Sequence, residues 1–264
     1  MGRRGWLVAV ILTALVAVVG GCSGTPQQAP TAGVPTDVAR DGTLRVCSTG
    51  DYRPFTYRAP DGTWSGFDVD AAGDMAHDLG VRLEMVPTTW KTLVSDVAAK
   101  CDIAMGGISV SPERAKLARF TTPYLTDGKA AIARCVDANR FHDLDDVDQP
   151  GVRVIVNPGG GNAAFDEAHL HRASVVPWPD NNTIFDRLAS GGADLMITDV
   201  SEIRWQTTQN AQLCGVALDR PFTSEQKAYL LPKDSEDLVR WTDHWLATHD
   251  GEYAALRQKY FGGP

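Results

Sequence analysis

The sequence predicts an α/β protein of two lobes, each a sheet flanked by helices, with two crossover strands between them. Three observations point to it. Short β-branched runs alternate with amphipathic helical stretches, the order that builds parallel strands with helical crossovers. The alternation comes in two series, separated by extended stretches at 123–125 and 129–136. The chain then returns through a strand-like run, 226–231, and ends in two helices rich in tryptophan and tyrosine. Residues 41–133 and 222–264 are therefore assigned to the first lobe and 134–221 to the second, lengths that suit compact units.

Ahead of the first lobe, Arg3 and Arg4 precede an apolar run over 6–19, too short for a comfortable membrane span, then Gly20 and Gly21. A basic start, an apolar middle and small residues mark 1–21 as a secretory signal. Cys22 directly after it resembles a bacterial lipobox, which implies an extracytoplasmic protein held on the cell membrane by lipid on Cys22. Residues 22–40, rich in Pro, Gly, Thr and Gln with little to bury, read as a tether.

The first lobe opens with a strand over 44–49 and an aromatic turn from Gly50 to Phe55, and Asp61-Gly62 marks a hairpin. Asp68 is expected as the N-cap of a helix with apolar stripe Val69, Ala72, Met75, Ala76 and Leu79, stopped by Gly80. A strand over 81–86, a helix over 90–100 and a strand over 102–105 lead into Gly106-Gly107-Ile108-Ser109. Ser111 caps a short helix with Pro112 in its first position, which puts Arg114 one turn beyond a strand's carboxyl end. The second series runs through a strand over 152–156, the loop Asn157-Pro158-Gly159-Gly160-Gly161-Asn162 and a helix through Phe165 and Leu170. A strand over 174–176 and a helix over 182–190 follow, then the short strand Leu195-Met196-Ile197 with Asp199 and Glu202 just beyond it, and a strand over 213–218.

The formal charge is −8 with no Lys/Arg cluster, which argues against a nucleic-acid partner. No Gly-x-Ser-x-Gly elbow supports a serine hydrolase, and the Gly159–Gly161 loop lacks the Gly-Lys-Ser/Thr of a phosphate loop. Asp68, Asp70 and Asp74 fail the calcium-loop pattern at Ala72 and Gly73, and His169 and His171 face different ways on a helix, so no metal site is expected. Beyond Cys22, four cysteines remain, none in a Cys-x-x-Cys motif, and outside the cytoplasm they can pair. Cys135 and Cys214, where the chain leaves and re-enters the first lobe, are the expected bridge, bracing the hinge side of the second lobe. The pairing of Cys47 with Cys101 stays open.

Open α/β sheets bind ligands at the carboxyl ends of their strands. The residues expected there are Tyr52, Phe55, Trp64, Trp90, Gly107, Ser109 and Arg114 from the first lobe. Asn157, Gly160, Gly161, Asp199 and Glu202 come from the second. An arginine's planar fork suits a carboxylate. Asp199 and Glu202, three residues apart, share one side of a first helical turn, where one acid ionises to bind a cation and a desolvated neighbour keeps its proton for donation. Each has a structural alternative: core for the aromatics, a helix cap for Asp199, a turn for Asn157.

Gly66-Phe67-Asp68-Val69-Asp70, the segment from Gly107 to Arg114, Phe120 to Tyr124 and Ala193 to Asp199 resemble the periplasmic receptors for polar amino acids. In those receptors the arginine clamps a ligand's α-carboxylate and the aspartate its ammonium. The phrases GDYRPFTY, DIAMGGIS, PYLTDGK, DQPGVRVIVNPGG, ADLMITDVSE and KAYLLP are more similar still to the periplasmic cyclohexadienyl dehydratases, enzymes built on the same type II periplasmic-binding-protein fold. The resemblance spans 44–246 and implies that Asn157 and Glu202 are active-site residues and that no cofactor is used. Prephenate and arogenate aromatise by losing carbon dioxide and a ring hydroxyl, a poor leaving group until protonated. Glu202 is then the general acid, Arg114 holds a carboxylate, Asn157 orients the acid or the hydroxyl, Asp199 receives arogenate's ammonium and Lys227 adds charge. Gly161 and Ala163 stand where the families commonly carry Thr and an acid, leaving backbone N–H groups at the helix start as the carboxylate's donors. The other implied reading is a non-catalytic receptor serving an ABC permease. Either way the ligand is a small anionic or zwitterionic carboxylate.

Overall fold

The computed structural model of the chain describes residues 1–2, 35, 38 and 41–262; nearly all of the expected signal over 1–21, Cys22 and most of the tether over 22–40 lie outside them. In β1 (Thr43–Ser48) successive side chains point to opposite faces, and both faces are buried. Val46 joins a cluster with Phe67, Ala72 and Met75 of α1 (Phe67–Leu79). Cys47 packs on the other face against Leu93 and Val97 of α2 (Leu93–Lys100). β1 pairs in parallel with β5 (Arg82–Pro87) and β6 (Ile103–Ala104). β15 (Leu230–Leu231) lies antiparallel between β6 and β7 (Arg119–Phe120), giving the order β5-β1-β6-β15-β7. A small three-stranded sheet, β2 (Asp51–Tyr52), β3 (Thr56–Arg58) and β4 (Trp64–Ser65), stands between β1 and α1 in the chain. The C-terminal helices α8 (Glu236–Thr248) and α9 (Asp250–Phe261) send Trp241, Trp245 and Tyr253 into the α1 face.

The second sheet has the order β11-β10-β12-β9-β13. Its strands are β9 (Lys129–Arg134), β10 (Arg153–Val156), β11 (Ser174–Pro177), β12 (Leu195–Asp199) and β13 (Leu213–Val216). One face carries Ala131, Val154 and Ile197 with Val147 of α4 (Leu144–Val147) and Phe165 of α5 (Gly161–His169). The other carries Ile132, Ile155 and Met196 with Leu188 of α6 (Ile184–Ala189) and Ile203 of α7 (Val200–Gln209). Between the sheets, β8 (Leu125–Asp127) and β14 (Glu225–Lys227) pair antiparallel as the two crossover strands.

Several expectations need correction. The expected change of lobe at residue 134 falls earlier: β9 is wholly in the second sheet, antiparallel to β12 and β13, because its Ala130–Ala133 run is buried on both faces. The Cys135–Cys214 bridge forms, with Cα atoms 4.8 Å apart, but at the end of β9 far from the crossover, so it staples β9 to β13 and not the hinge. Cys47 and Cys101 also pair, joining β1 to the end of α2. The run over 226–231 is split between β14 and β15. The helix expected over 90–100 starts at Leu93, leaving Trp90 in a loop. Asp68 is not the cap of α1; Gly66 holds that position, and the Asp68 carboxylate reaches across to the Gly107 loop.

Candidate active site

Gly107 follows β6 with φ +64, and a Cβ there would stand 2.6 Å from the rings of both Tyr52 and Phe55, so only glycine fits. Its N–H donates to Asp68 Oδ2 over 2.7 Å. Ser111 accepts from the Arg114 backbone N–H and starts α3 (Pro112–Leu117), as the sequence implies. Arg114 Nη1 donates to the Ser109 carbonyl over 2.9 Å, and no carboxylate of a described residue lies within ion-pair distance of the guanidinium. Lys227 of β14 is bridged to the Ser109 backbone, and its Nζ donates to Ser109 Oγ at 2.8 Å and Asp199 Oδ2 at 2.6 Å.

From the second sheet, Asp199 ends β12 directly opposite Lys129 of β9. Lys129 Nζ donates to Asp199 Oδ1 over 2.8 Å and to Asn162 Oδ1 over 2.7 Å. The Tyr52 hydroxyl donates to Asp199 Oδ2 from the first-sheet side. The resulting cavity is narrow and partly open to solvent. Tyr52, Trp90, Gly107, Ser109, Arg114 and Lys227 line one wall. Lys129, Asn157, Gly160, Gly161, Asn162, Asn181 and Asp199 line the other. The walls already touch: Asn181 Nδ2 donates to the Asp51 carbonyl over 2.8 Å, and a Cβ on Gly160 would press within 3.3 Å of the Trp90 indole. Asn181 Oδ1 is buried without a protein partner and is open to a ligand donor. Asn157 gives its amide nitrogen to the carbonyls of Trp178 and Pro179, at 3.2 and 2.8 Å, which leaves its oxygen for a ligand.

The two acids hold opposite states. Burial alone would raise the Asp199 carboxyl, but the ammonium groups of Lys129 and Lys227 hold it well below the usual carboxylate range. Lys129 is likewise kept charged, because Asp199 and Glu225 outweigh the burial that opposes its ammonium. Glu202, 1% exposed, is pushed up to about 8, first by burial and then by the charges of Asp199 and Asp51, and it is neutral at pH 7. Its Oε2 accepts from the Thr198 hydroxyl over 2.6 Å. Thr198 Oγ1 in turn accepts from Asn162 Nδ2 over 2.9 Å. With its own hydrogen committed to Oε2, Thr198 places the acid's proton on Oε1.

The structure thus brings Tyr52, Trp90, Gly107, Ser109, Arg114, Asn157, Gly160, Gly161, Asp199 and Lys227 around one cavity. Phe55 is corrected to core: it is fully buried beneath the wall, stacked under Tyr52 at 5.2 Å. Trp64 is elsewhere, against Gly50 and Arg58. Glu202 is not among the lining residues; it stands just behind them, held by Thr198, which is bonded in turn to Asn162 of the wall. Asp199 holds the N-cap position of α7 but its side chain makes no cap hydrogen bond, and its oxygens already hold two lysines, not the free carboxylate expected for a ligand's ammonium. Sequence reasoning missed Lys129, Asn162, Asn181 and Thr198. Lys129 had a signal: a lysine opening the apolar run Ala130–Ala133 enters a buried strand and needs an anion.

Over residues 44–263 the chain matches the bacterial extracellular solute-binding proteins, family 3. It belongs to that family. A cyclohexadienyl dehydratase of Pseudomonas aeruginosa is 47% identical over 220 residues, which cover 83% of this chain and 81% of that protein. An ancestral amino acid-binding protein, described as a precursor of cyclohexadienyl dehydratase, superposes with a TM-score of 0.79 at 32% identity, over 85% of this chain and 98% of that one. An ancestral cyclohexadienyl dehydratase is 46% identical, with a TM-score of 0.53 over 85% of this chain and 95% of its own. The expected family and its α/β receptor fold are met. The family is extracytoplasmic, and among the described residues no helix is long and apolar enough to cross a membrane.

Proposed function

We propose that this family member is a cyclohexadienyl dehydratase, a lyase that converts prephenate to phenylpyruvate, arogenate to phenylalanine, or both. The observation that carries the reading is Glu202: a buried acid, neutral at pH 7, one turn from an ionised Asp199. A receptor has no use for a proton donor; this reaction requires one. The Glu202 proton passes from Oε1 to the ring hydroxyl, and the C–O bond breaks with water leaving. The bond to the ring carboxylate breaks as well, its electron pair enters the ring, and carbon dioxide and an aromatic ring result. Glu202 is left ionised and regains a proton from solvent, favoured by burial and by the Asp199 charge. Every atom balances without a cofactor.

In this reading Arg114, Lys129 and Lys227 take the substrate's carboxylates, with Ser109 and the N–H groups at the start of α5 as further donors. The Asn157 oxygen accepts from the ring hydroxyl and aims it. Trp90 and Tyr52 cover the ring. Closing the lobes excludes water and strengthens each contact. Cys22 is the lipidated residue left after removal of 1–21, and 22–40 tethers the lobes to the membrane.

The second reading, a receptor handing an amino acid to an ABC permease, draws on the amino acid-binding neighbour. Assaying phenylpyruvate release from prephenate, beside a Glu202→Gln variant, separates the two. Turnover lost in the variant while ligand binding persists supports the enzyme. No turnover by the unaltered protein, with tight binding of an amino acid, overturns it.

A further inference from the structure

We infer that the site selects the 2-oxo acid form of its substrate, a dianion, over the 2-amino acid form, because the protein's own lysines occupy the carboxylate an ammonium ligand would need. The inference rests on the dehydratase reading and names its preferred substrate. The two candidates differ at one position, where prephenate carries a carbonyl and arogenate an ammonium.

Among the described residues Asp199 is the sole carboxylate lining the cavity, against three cations, Arg114, Lys129 and Lys227. Its Oδ2 receives both Lys227 Nζ, at 2.6 Å, and the Tyr52 hydroxyl, which fills its two lone pairs. Its Oδ1 receives Lys129 Nζ at 2.8 Å. A ligand ammonium approaching the remaining lone pair would sit beside the Lys129 ammonium, and like charges in a site this buried repel strongly. The lysines are locked in place by further acceptors, Asn162 for Lys129 and Ser109 for Lys227, so neither is free to swing aside.

The balance of charge favours the dianion. Glu202 is neutral and adds no negative charge at pH 7. Glu225 lies 3.7 Å from Lys129, but outside the lining, and offsets it only in part. Two substrate carboxylates therefore meet a wall with two cations in excess of its one anion. A carbonyl accepts from a lysine N–H, whereas an ammonium is left the neutral amide oxygens of Asn181 and Asn157 in place of a carboxylate.

The test measures kcat/KM of the full-length chain in detergent for prephenate and arogenate, then for Lys129→Gln. The unaltered protein prefers prephenate by about tenfold or more, and Lys129→Gln, which frees Asp199 Oδ1 and removes a cation, shifts the ratio toward arogenate by a similar factor. A preference below tenfold, or a variant that loses both activities equally with the ratio unchanged, overturns the inference. Calorimetric titration of the unaltered protein with phenylpyruvate and phenylalanine asks the same question without catalysis and without a variant. Tighter phenylpyruvate supports the inference and tighter phenylalanine overturns it. Turnover of neither cyclohexadiene counts against the dehydratase reading instead, and the titration still decides the charge preference.

Discussion

Replacing Thr198 with valine removes one hydroxyl and keeps the shape of the side chain. Thr198 and Glu202 are both buried, so Glu202 Oε2, at 2.6 Å, loses a hydrogen bond that water cannot replace, whereas Asn162 Nδ2, at 2.9 Å, belongs to a half-buried side chain of the cavity wall. One buried partner left unpaired costs about 1–3 kcal/mol, and a loss of that size in stability is expected. The change in chemistry is more diagnostic. The Thr198 hydrogen bond opposes the burial that raises Glu202, so without it the carboxyl moves further up from about 8. The basic limb of the kcat profile, which follows loss of the Glu202 proton, must then move to higher pH, while kcat at its plateau falls roughly 10- to 100-fold because Oε1 is no longer aimed. Steady-state phenylpyruvate formation between pH 6 and 10 measures both. Thr198→Ser, which keeps the hydroxyl, restores the limb. A valine variant with an unchanged limb, or one moved to lower pH, refutes the assignment of Thr198 as the residue that orients the acid.

Burial raises Asp68 to about 7 and Glu202 and Asp166 to about 8, so the folded chain holds protons that the unfolded chain has already released. Their contribution is complete below the unfolded carboxyl values and is lost as pH rises through 7 to 8, whereas the Asp199 contribution disappears only as pH falls below the ordinary carboxylate range. Tm is therefore highest near pH 5 and drops by several degrees by pH 9; a flat or rising Tm in scanning calorimetry contradicts this. In Gly107→Ala the added methyl meets Tyr52 and Phe55 at a φ of +64, with an expected loss of about 1–3 kcal/mol and a raised KM. Wild-type melting and KM for that variant would show the cavity wall tolerates the methyl. The double variant Cys135→Ala, Cys214→Ala opens a link spanning 79 residues, worth about 4 kcal/mol in the loop-entropy picture, with Tm falling on the order of 10 °C. Activity at 25 °C should survive, since the bridge sits at the end of β9 away from the cavity, and its loss would be evidence against that placement.

Local signals carried most of the secondary structure. Gly80 stops α1 in the left-handed conformation, Ser111 and Pro112 start α3, and the apolar runs of β1, β10 and β12 lie where their β-branched residues put them. These depend on backbone preference and neighbours a turn away, which a linear sequence contains. Glu202 entered as a raised acid through the resemblance to the dehydratases, because two acids three residues apart at a helix start can equally be a cap and a solvated first-turn acid, and only packing buries one of them.

What lay far apart in the chain was decided only by packing. Asp68 reads as a helix cap, yet it faces Gly107, Tyr124 and Tyr229 because α1 packs over the end of β6, and no local pattern states that. Phe55 and Tyr52 are aromatics of one turn, and only the Gly107 loop pressed against both makes one a wall and the other core. The sequence by itself determined a two-sheet α/β protein of this family with Arg114, Asp199 and Glu202 at strand ends. The tertiary structure decided that Asp199 is filled by Lys129 and Lys227, 70 and 28 residues away, since antiparallel pairing of β9 with β12 and the crossover of β14 are what bring those charges together.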